Sequence, residues 1–431
     1  MIQVVNSSFP EINHLAAALA EAGILSVYVR PYANLDRGWE RRLATLPGLG
    51  RLHARSFGRR RMPAPLGKTH VSEAGMLWDL LMAAHGRLPA SSPAYRPLQR
   101  SLLHARTRAL MKAAERHLQN ERAVVASWRC AEPVFRKAKA RGALCVLNYP
   151  FAHHRFTRNY LAEEATRQPA FADTLNGHDW PRWQERQLEA EIELADRILV
   201  GSSFARESFI AEGVPAQKLT VIPYGADTGL FEPPEPKEHD RNGLRLLFVG
   251  QIGQRKGISY LLDAARQTAA QGDSLTLVGQ IQGSGRALAP YRGGFRHVPH
   301  VPRAELREIY RQADVFVFPT LVEGMGLVVL EAMASGLPVI TTANGPGDIV
   351  RDGVDGFLVA PRDVEAIIDR LALLRADPQL RQEMACNARI RAQEFTWDAY
   401  RKKTVAALRG WLEHQQETSR SPRVEVAGAR P

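Results

Sequence analysis

PTLVEGMGLVVLEAMASGLP, residues 319–338, directly follows the continuously apolar run Val315–Phe318. A short apolar run of this kind is typical of a strand buried on both faces of a parallel sheet. Glycines at positions 324 and 326 then permit a tight turn, and the apolar residues beyond them indicate a helix over 327–335. The segment therefore predicts a strand, a turn and a helix N-terminus in direct succession.

The same alternation extends along the chain. In the second half, strands are predicted at 244–249, 275–278, 315–318, 338–341 and 357–359, and helices from 258 to 265 and at 303–312, 327–335 and 363–375. The first half alternates less regularly, with strands at 2–5, 24–29, 123–126, 143–147 and 197–201 and helices at 13–22, 101–119, 131–140, 182–195 and 203–212. Apolar strands separated by helices indicate parallel sheets covered on both faces. The chain is therefore predicted to be α/β, with two Rossmann-like domains facing across a cleft.

A polar, proline-rich run beginning at Phe231 and continuing to Arg241 predicts a linker between the two domains. The expected domains are residues 1–230 and 231–395. A helix over 396–416 is expected to pack back on the first domain. Residues 417–431 lack apolar periodicity and are predicted to form a disordered tail.

The positive charge is concentrated near the N-terminus. The 431-residue chain carries a net charge of +12, and residues 30–68 hold ten Lys and Arg side chains against only Asp36 and Glu40. This stretch could dock on an anionic membrane surface, hold an anionic polysaccharide, or form an ordinary solvated loop. Nucleic acid is not an expected partner, because few aromatic residues are interleaved with the basic ones.

The cysteines and the apolar runs bear on the cellular compartment. Three widely spaced cysteines, Cys130, Cys145 and Cys386, argue against a disulfide framework or a structural zinc site and favour a reducing compartment. The N-terminus lacks the pattern of a secretory signal. No apolar run approaches the roughly 20 residues needed to cross a bilayer. The expected location is the cytoplasm, at most peripheral on the inner face of the plasma membrane.

The turn and helix over 319–338 also predict an anion site. Unpaired N–H groups and the helix dipole favour an anion at a helix N-terminus. A pyrophosphate there would put a sugar beside Glu323 and a ribose near Glu331, since a carboxylate accepts hydrogen bonds from neighbouring hydroxyls. Two glutamates alone would also fit a solvated helix face, but the glycines and the preceding strand favour the anion site. The amides expected to bind the anion are those of Gly324, Met325, Gly326 and Leu327.

At this point the segment resembles the signature of glycosyltransferase family four: Pro-(Ser/Thr)-x-x-Glu-Gly-x-Gly, then Glu-Ala-Met-Ala-x-Gly-x-Pro-Val. The matching positions are Pro319, Thr320, Glu323, Gly324, Gly326, Glu331, Ala332, Met333, Ala334, Gly336, Pro338 and Val339. The resemblance covers most of residues 244–395 and extends weakly over the first half.

The resemblance implies a GT-B fold with an acceptor-binding first domain and a nucleotide-sugar-binding second domain. It implies a retaining transfer of a hexose-type sugar from a UDP- or GDP-linked donor to a hydroxyl of a glycan or lipid-linked acceptor. It also implies that the leaving phosphate takes the acceptor proton, and that no metal or other cofactor is needed. Polysaccharide or glycoconjugate synthesis is the expected setting.

A second mark of that family appears as FVGQIGQRKG, residues 248–257. The resemblance makes Gly250 a donor-binding glycine and Lys256 the diphosphate-binding lysine. The family often has arginine directly after the first glycine, where this chain has Gln251. Arg255 is therefore expected to supply the second positive charge, although a surface basic pair after a turn would look the same.

The histidine that the family places near the transferred sugar is sought in NYPFAHHR, residues 148–155. His153 is the first choice and His154 the second, since both follow a predicted strand. A solvent-exposed or structural histidine pair is the competing interpretation. Asp352 and Asp355 resemble a metal-binding pair but lie in a predicted turn, and no metal ligand is assigned.

The sequence does not identify the nucleotide base, and it leaves two alternative functions. The nucleotide base is expected to be selected by backbone contacts near residues 298–301, which leave little trace in the sequence. A nucleotide-sugar epimerase of GT-B architecture is one alternative. A basic, non-catalytic polyanion-binding protein is the other, and it would leave the 319–338 segment unexplained.

Overall fold

The protein is described by a computed structural model, which covers residues 1–7, 9–35, 38–45, 62, 66, 70–85, 95–175, 177, 180–233, 243–299 and 301–420. The strands are β1 (Ile2–Val5), β2 (Leu25–Arg30), β3 (Val71–Glu73), β4 (Ala123–Ser127), β5 (Leu144–Asn148), β6 (Arg197–Val200), β7 (Leu219–Val221), β8 (Arg245–Val249), β9 (Ser274–Val278), β10 (Phe295–Val298), β11 (Val315–Phe318), β12 (Val339–Thr342) and β13 (Gly356–Val359). The helices of the first half are α1 (Pro10–Glu21), α2 (Gly38–Thr45), α3 (Met76–His85), α4 (Tyr95–His117), α5 (Glu132–Lys139), α6 (His154–Arg167), α7 (Arg182–Leu194) and α8 (Ser203–Ala211). Those of the second half are α9 (Ile258–Thr268), α10 (Arg303–Arg311), α11 (Leu327–Ala334), α12 (Val364–Ala376), α13 (Pro378–Ala392) and α14 (Trp397–Arg420).

The strands form two sheets with Rossmann-type strand order. The first runs β3-β2-β1-β4-β5-β6-β7 and the second β10-β9-β8-β11-β12-β13. All neighbouring pairs of the second sheet are parallel. In such sheets ligands bind outside the carboxyl ends of the strands, where the strand order reverses. In the second sheet this reversal lies between β8 and β11, the strands that precede the two predicted donor-binding segments.

Burial explains why the central strands could be recognised. All four residues of β11 are fully buried, as expected of a strand covered by helices on both faces. At the edge of the same sheet, β10 has no buried residue. Helix α11 begins after Gly326, whose φ of 86° is a left-handed conformation that favours glycine. The strand, turn and helix predicted from residues 315–335 are therefore confirmed.

The chain divides into two compact units. One contains Met1–Leu147, Glu191–Asp196 and Arg401–Pro431, and the other contains Asn148–Ala190 and Arg197–Tyr400. Residue 231 separates the strands of the two sheets, but the compact units divide elsewhere, and the domain boundary at 231 stays a prediction. The linker predicted to reach Arg241 lies mostly outside the described residues.

Within the first unit, the terminal helix α14 contacts earlier parts of the chain. Arg122 donates to the Leu412 carbonyl at 3.0 Å, and Arg401 pairs with Glu21 at 3.5 Å. The helix reaches Arg420, four residues beyond its predicted end at 416. The disordered tail was predicted over residues 417–431. Residues 417–420 belong to the helix instead, because the helical hydrogen bonding of α14 continues through them, and residues 421–431 lie outside the described part of the chain.

The predicted basic surface over residues 30–68 needs one correction, and most of it lies outside the described residues. Most of the basic residues of 30–68 are not among the described ones. Arg30 is buried and donates to Asn13 at 2.9 Å, so it adds nothing to a charged surface. Arg41 and Arg42 are exposed on α2. Across the described ranges, no helix combines the length and the apolar character needed to span a membrane.

Candidate functional site

The loop between β11 and α11 presents Glu323 to a pair of cations. Its carboxylate contacts the ammonium of Lys256, lies 3.3 Å from an Arg255 nitrogen and accepts the Gly324 amide at 3.1 Å. The side chain is 10% exposed. Glu323 therefore lies in the loop before the helix, rather than on one helix face with Glu331, and its oxygens are already paired with cations.

The turn after β8 carries these cations. Residues Gln254–Lys256 form one 3₁₀ turn, and Arg255 donates to the Val322 carbonyl at 3.0 Å. The Arg255 carbonyl in turn accepts the Leu321 amide at 3.0 Å. The two loops are thus joined through both main chain and side chain. The structure brings the adjacent residues Arg255 and Lys256 together with Glu323, which lies more than 65 residues further along the sequence.

Burial makes both cations easier to deprotonate. Desolvation lowers the pKa of Arg255 to about 10. Desolvation, followed by the charge of Arg255, lowers the pKa of Lys256 well below its usual value. The Lys256 ammonium also lies 4.8 Å from the centroid of the Phe318 ring, where the ring face favours a cation. An anion bound here would stabilise the charged forms of both groups.

Glu331 lies on the first turns of α11, in a separate polar contact. Arg303 donates to one of its oxygens at 3.1 Å and the Tyr310 hydroxyl to the other at 3.3 Å. Burial raises the pKa of Glu331, while the charge of Arg303 opposes the shift. Both carboxylate oxygens are therefore oriented by side chains of α10.

His154 is the first residue of α6 and His153 precedes it; both are buried, with exposed fractions of 1% for His153 and 2% for His154. The Nδ1 atom of His153 accepts the Arg155 amide at 3.2 Å and caps the helix. The rings of the pair stack with centroids 4.4 Å apart. Desolvation lowers the pKa of His153 to about 3 and that of His154 to about 4. Both are therefore neutral near pH 7, and a neutral His153 carries its proton on Nε2.

A glycine lets the histidine segment approach the Glu323 loop. A Cβ at Gly324 would overlap the carbonyl oxygen of Pro150, so only glycine fits this position without a backbone shift. The Gly324 carbonyl also accepts the Ser202 hydroxyl. The segment that follows β5 and the loop that follows β11 are thereby held in direct contact within the second unit.

Gly250, the predicted donor-binding glycine, directly follows β8. Its amide donates to the carbonyl of Val278, the last residue of β9, at 2.9 Å. Asp352 and Asp355, by contrast, cap their own turn: Asp352 accepts the Leu358 amide at 2.9 Å, and Asp355 pairs with Arg351. This agrees with the assignment of these two aspartates to a turn.

Comparison with known proteins adds the family. The model of "Glycosyl transferases group 1" matches residues 243–377. A D-inositol 3-phosphate glycosyltransferase of Frankia alni is 35% identical over 317 residues, covering 59% of this chain and 78% of the relative. The chain belongs to the group 1 glycosyltransferases. The resemblance inferred from the two motifs is therefore confirmed.

Solved structures with the same architecture as this glycosyltransferase support its GT-B fold. Sucrose-phosphate synthase of Thermosynechococcus elongatus superposes with a TM-score of 0.63 at 20% identity, over 96% of this chain and 99% of that one. Anabaena HepE in complex with UDP superposes with a TM-score of 0.60 at 15% identity, over 95% and 99%. At these identities the likeness concerns the fold, and it confirms the predicted fold class.

Two residues of this glycosyltransferase's candidate site were not found from the sequence. Arg303 and Tyr310, which orient Glu331, precede it by 28 and 21 residues. Both belong to the predicted helix 303–312, but no local spacing links that helix to Glu331. Only the packing of α10 beside α11 reveals the connection.

Proposed function

We propose that this glycosyltransferase is a retaining hexosyltransferase that uses a UDP- or GDP-linked sugar. Its acceptor is a hydroxyl of a glycan or a lipid-linked glycan, and its setting is polysaccharide or glycoconjugate synthesis. The observation that carries the proposal is the convergence of Arg255 and Lys256 on Glu323, beside the N-terminus of α11. Two cations and a helix N-terminus suit a diphosphate, and the carboxylate suits sugar hydroxyls.

Donor binding is proposed to exchange one set of ion pairs for another. Lys256 and Arg255 contact Glu323 in the structure, and a diphosphate offers the same cations a partner of higher charge. As the cations turn to the diphosphate, the Glu323 oxygens become available to accept hydrogen bonds from the sugar. The amides of Gly324, Met325, Gly326 and Leu327 lie at the beginning of α11, where the first N–H groups have no partner within the helix.

The chemistry requires stabilisation of a leaving diphosphate. The bond between the anomeric carbon and the phosphate oxygen breaks, and the acceptor oxygen forms a new bond on the same face. The acceptor proton passes to the departing phosphate oxygen, so that no protein carboxylate has to act as base. Arg255 and Lys256 stabilise the negative charge that develops on the diphosphate, and Glu323 orients the sugar.

Glu331 is proposed to bind the ribose of the donor. Its two oxygens are held by Arg303 and Tyr310, and each oxygen retains lone pairs that can accept a ribose hydroxyl. His153 is proposed to contact the transferred sugar through its Nε2–H, because its Nδ1 is engaged in capping α6. His154 is the second choice for this contact.

The relatives support a nucleotide-sugar donor by analogy. HepE has been crystallised with UDP and with UDP-glucose. An MMP alpha-(1->4)-mannosyltransferase of Mycolicibacterium hassiacum is 29% identical over 269 residues, covering 59% of this chain and 63% of that protein. A UDP-linked hexose is therefore the first donor to test, with the GDP-linked hexoses of the proposal beside it.

The stereochemistry of the product tests the proposal. The protein is incubated with each candidate UDP- or GDP-hexose and a glycan acceptor, with and without EDTA, and the anomeric proton is followed by NMR. We expect a product with the donor's anomeric configuration, formed equally in EDTA. An inverted product would contradict retention, and loss of activity in EDTA would contradict metal independence. An isomerised donor formed without acceptor would favour the epimerase alternative.

We also propose that the first unit docks on an anionic membrane surface. The helix pair α3–α4, which follows the basic stretch 30–68 in the sequence, exposes Leu77 by 62% and Leu98 by 42%. Such side chains can enter the headgroup region, while each basic residue near the surface contributes about 1 kcal/mol. Flotation with vesicles containing anionic lipid at low and high salt tests this. Salt-sensitive binding is expected, and no binding at low salt would contradict it.

A further inference from the structure

Glu164, on α6, is fully buried, and its carboxylate accepts hydrogen bonds from three side chains. They lie in the turn after β8, on α9 and in the segment after β13. Gln254 donates from Nε2 at 2.7 Å, the Tyr260 hydroxyl at 2.7 Å and Arg362 from Nε at 2.8 Å. The first two bind Oε1 and the third binds Oε2. Glu164 therefore joins three segments that are 90 to 198 residues distant in sequence.

The network requires a carboxylate at this position. Arg362 has only donors, and the Gln254 amide is fixed because its Oε1 accepts the Ser259 amide at 3.1 Å. Burial, followed by the hydrogen bond to Glu164, raises the pKa of Tyr260, which keeps its hydroxyl available as a donor. A glutamine at position 164 would turn its own N–H₂ group toward a donor on one side or the other.

One of the three hydrogen-bond partners of Glu164, Gln254, is the first residue of the turn that contains Arg255 and Lys256. Gln254 is fully buried and directly precedes Arg255 and Lys256. Its backbone amide donates to the Thr174 hydroxyl at 2.9 Å, and Thr174 donates onward to the Phe171 carbonyl at 2.7 Å. The turn is thus held by its side chain from Glu164 and by its main chain from Thr174.

A second partner holds a strained backbone conformation. Arg362 has a φ of 73°, which is uncommon for a residue with a side chain. Its guanidinium lies 4.5 Å from the centroid of the Tyr160 ring and contacts both Glu164 and Glu163. Strain of this kind persists only where the surrounding contacts fix the residue. Two partners of Glu164 are therefore fixed by further contacts: Gln254 by the Thr174 hydroxyl and Arg362 by Tyr160 and Glu163.

We propose that Glu164 is a positioning residue for the diphosphate-binding cations. It fixes the turn of Arg255 and Lys256 against α6, the helix that begins beside His153, so that the cations are already placed when a donor arrives. Preorganisation matters because displacement of a binding group by about 1 Å can cost roughly 100-fold in rate. This inference rests on the proposed function and assigns a new role within the same site.

Calorimetric titration with UDP and GDP tests the role in three proteins: the unaltered chain, Glu164→Gln and the matched control Glu163→Gln. Glu163 is the neighbouring carboxylate, also contacts Arg362, and is 51% exposed. Titrations are run well below the unfolding temperature of each variant. We expect Glu164→Gln to weaken the better-bound nucleotide roughly tenfold or more, and Glu163→Gln to leave it within about twofold.

A double-mutant cycle with Lys256→Ala separates positioning from general stability. If Glu164 acts through the turn, Glu164→Gln weakens nucleotide binding much less in the Lys256→Ala background than in the unaltered protein. Equal losses in both backgrounds would overturn the role. If Glu164→Gln does not fold, the same cycle is measured with Tyr260→Phe, which removes one hydrogen bond to Glu164.

The outcomes distinguish this inference from the proposed function. If the unaltered protein binds neither nucleotide, the proposed function fails and the positioning role falls with it. If it binds normally and both Glu164→Gln and Tyr260→Phe bind equally well, only the positioning role is overturned.

Discussion

At the level of single residues, we propose that Glu323 has two successive sets of partners. It pairs with Arg255 and Lys256 in the structure and is proposed to hold the sugar once a diphosphate takes those cations. We expect Glu323→Ala to lower kcat by about 10² to 10³, as loss of a well-placed polar group in a transition state does. UDP binding should not weaken, because a competitor for the cations is removed. Steady-state kinetics and UDP titration measure both; unchanged turnover would refute the role.

The shifted pKa values predict how diphosphate binding depends on pH. The cations bind diphosphate when protonated, and burial lowers the pKa of Lys256 and brings that of Arg255 to about 10. Affinity should therefore fall as pH rises, beginning below the usual lysine pKa of about 10.5. Burial raises the pKa of Glu331, so its carboxylate takes up a proton at a higher pH than an exposed glutamate does. As pH falls, nucleotide binding through Glu331 should therefore begin to weaken at a higher pH than it would through an exposed glutamate.

UDP titrations across this pH range test both limbs. Lys256→Arg should move the alkaline limb to higher pH, because a guanidinium keeps its proton longer than an ammonium. Glu331→Gln should remove the acid limb. An affinity that is flat with pH in the unaltered protein would contradict the assignment of these groups to the donor site.

At the scale of elements, the site depends on the close approach of the segment after β5 to the loop before α11. A side chain at Gly324 would overlap the Pro150 carbonyl. We expect Gly324→Ala to force these segments apart and to lower kcat/KM by roughly 100-fold, since the groups of the site are displaced. The control is Gly353→Ala, in a turn where an added Cβ meets no atom within 4 Å although its φ is 73°. Equal kinetics for the two variants would contradict the prediction.

Some helices and strands were predicted from the sequence, and others were not. The apolar strands β1 and β11 were predicted to the residue, because burial on both faces leaves a continuous apolar run. Helix α6 was missed because its buried side includes His154 and Glu164, so that the apolar period is weak. The edge strand β10 was missed because none of its residues is buried.

At the scale of the whole molecule, the motifs predicted the fold class and the family, both of which are confirmed. They also identified Arg255, Lys256, Glu323 and Glu331, although their roles toward a donor stay predictions. The sequence did not reveal the partners of these residues. Arg303 reaches Glu331 across 28 residues, and Glu164 reaches Gln254 across 90. Contacts between distant segments leave no local pattern, so only the folded chain shows them.

The central claim is that the loop between β11 and α11 belongs to a nucleotide-sugar site, and direct titration tests it. UDP, GDP and ADP are titrated calorimetrically into the unaltered protein and into Glu331→Ala. We expect UDP or GDP to bind selectively, and Glu331→Ala to weaken the binding of that nucleotide about tenfold, the effect expected when hydrogen bonds to a charged group are lost. Failure of all three nucleotides to bind the unaltered protein would contradict the claim.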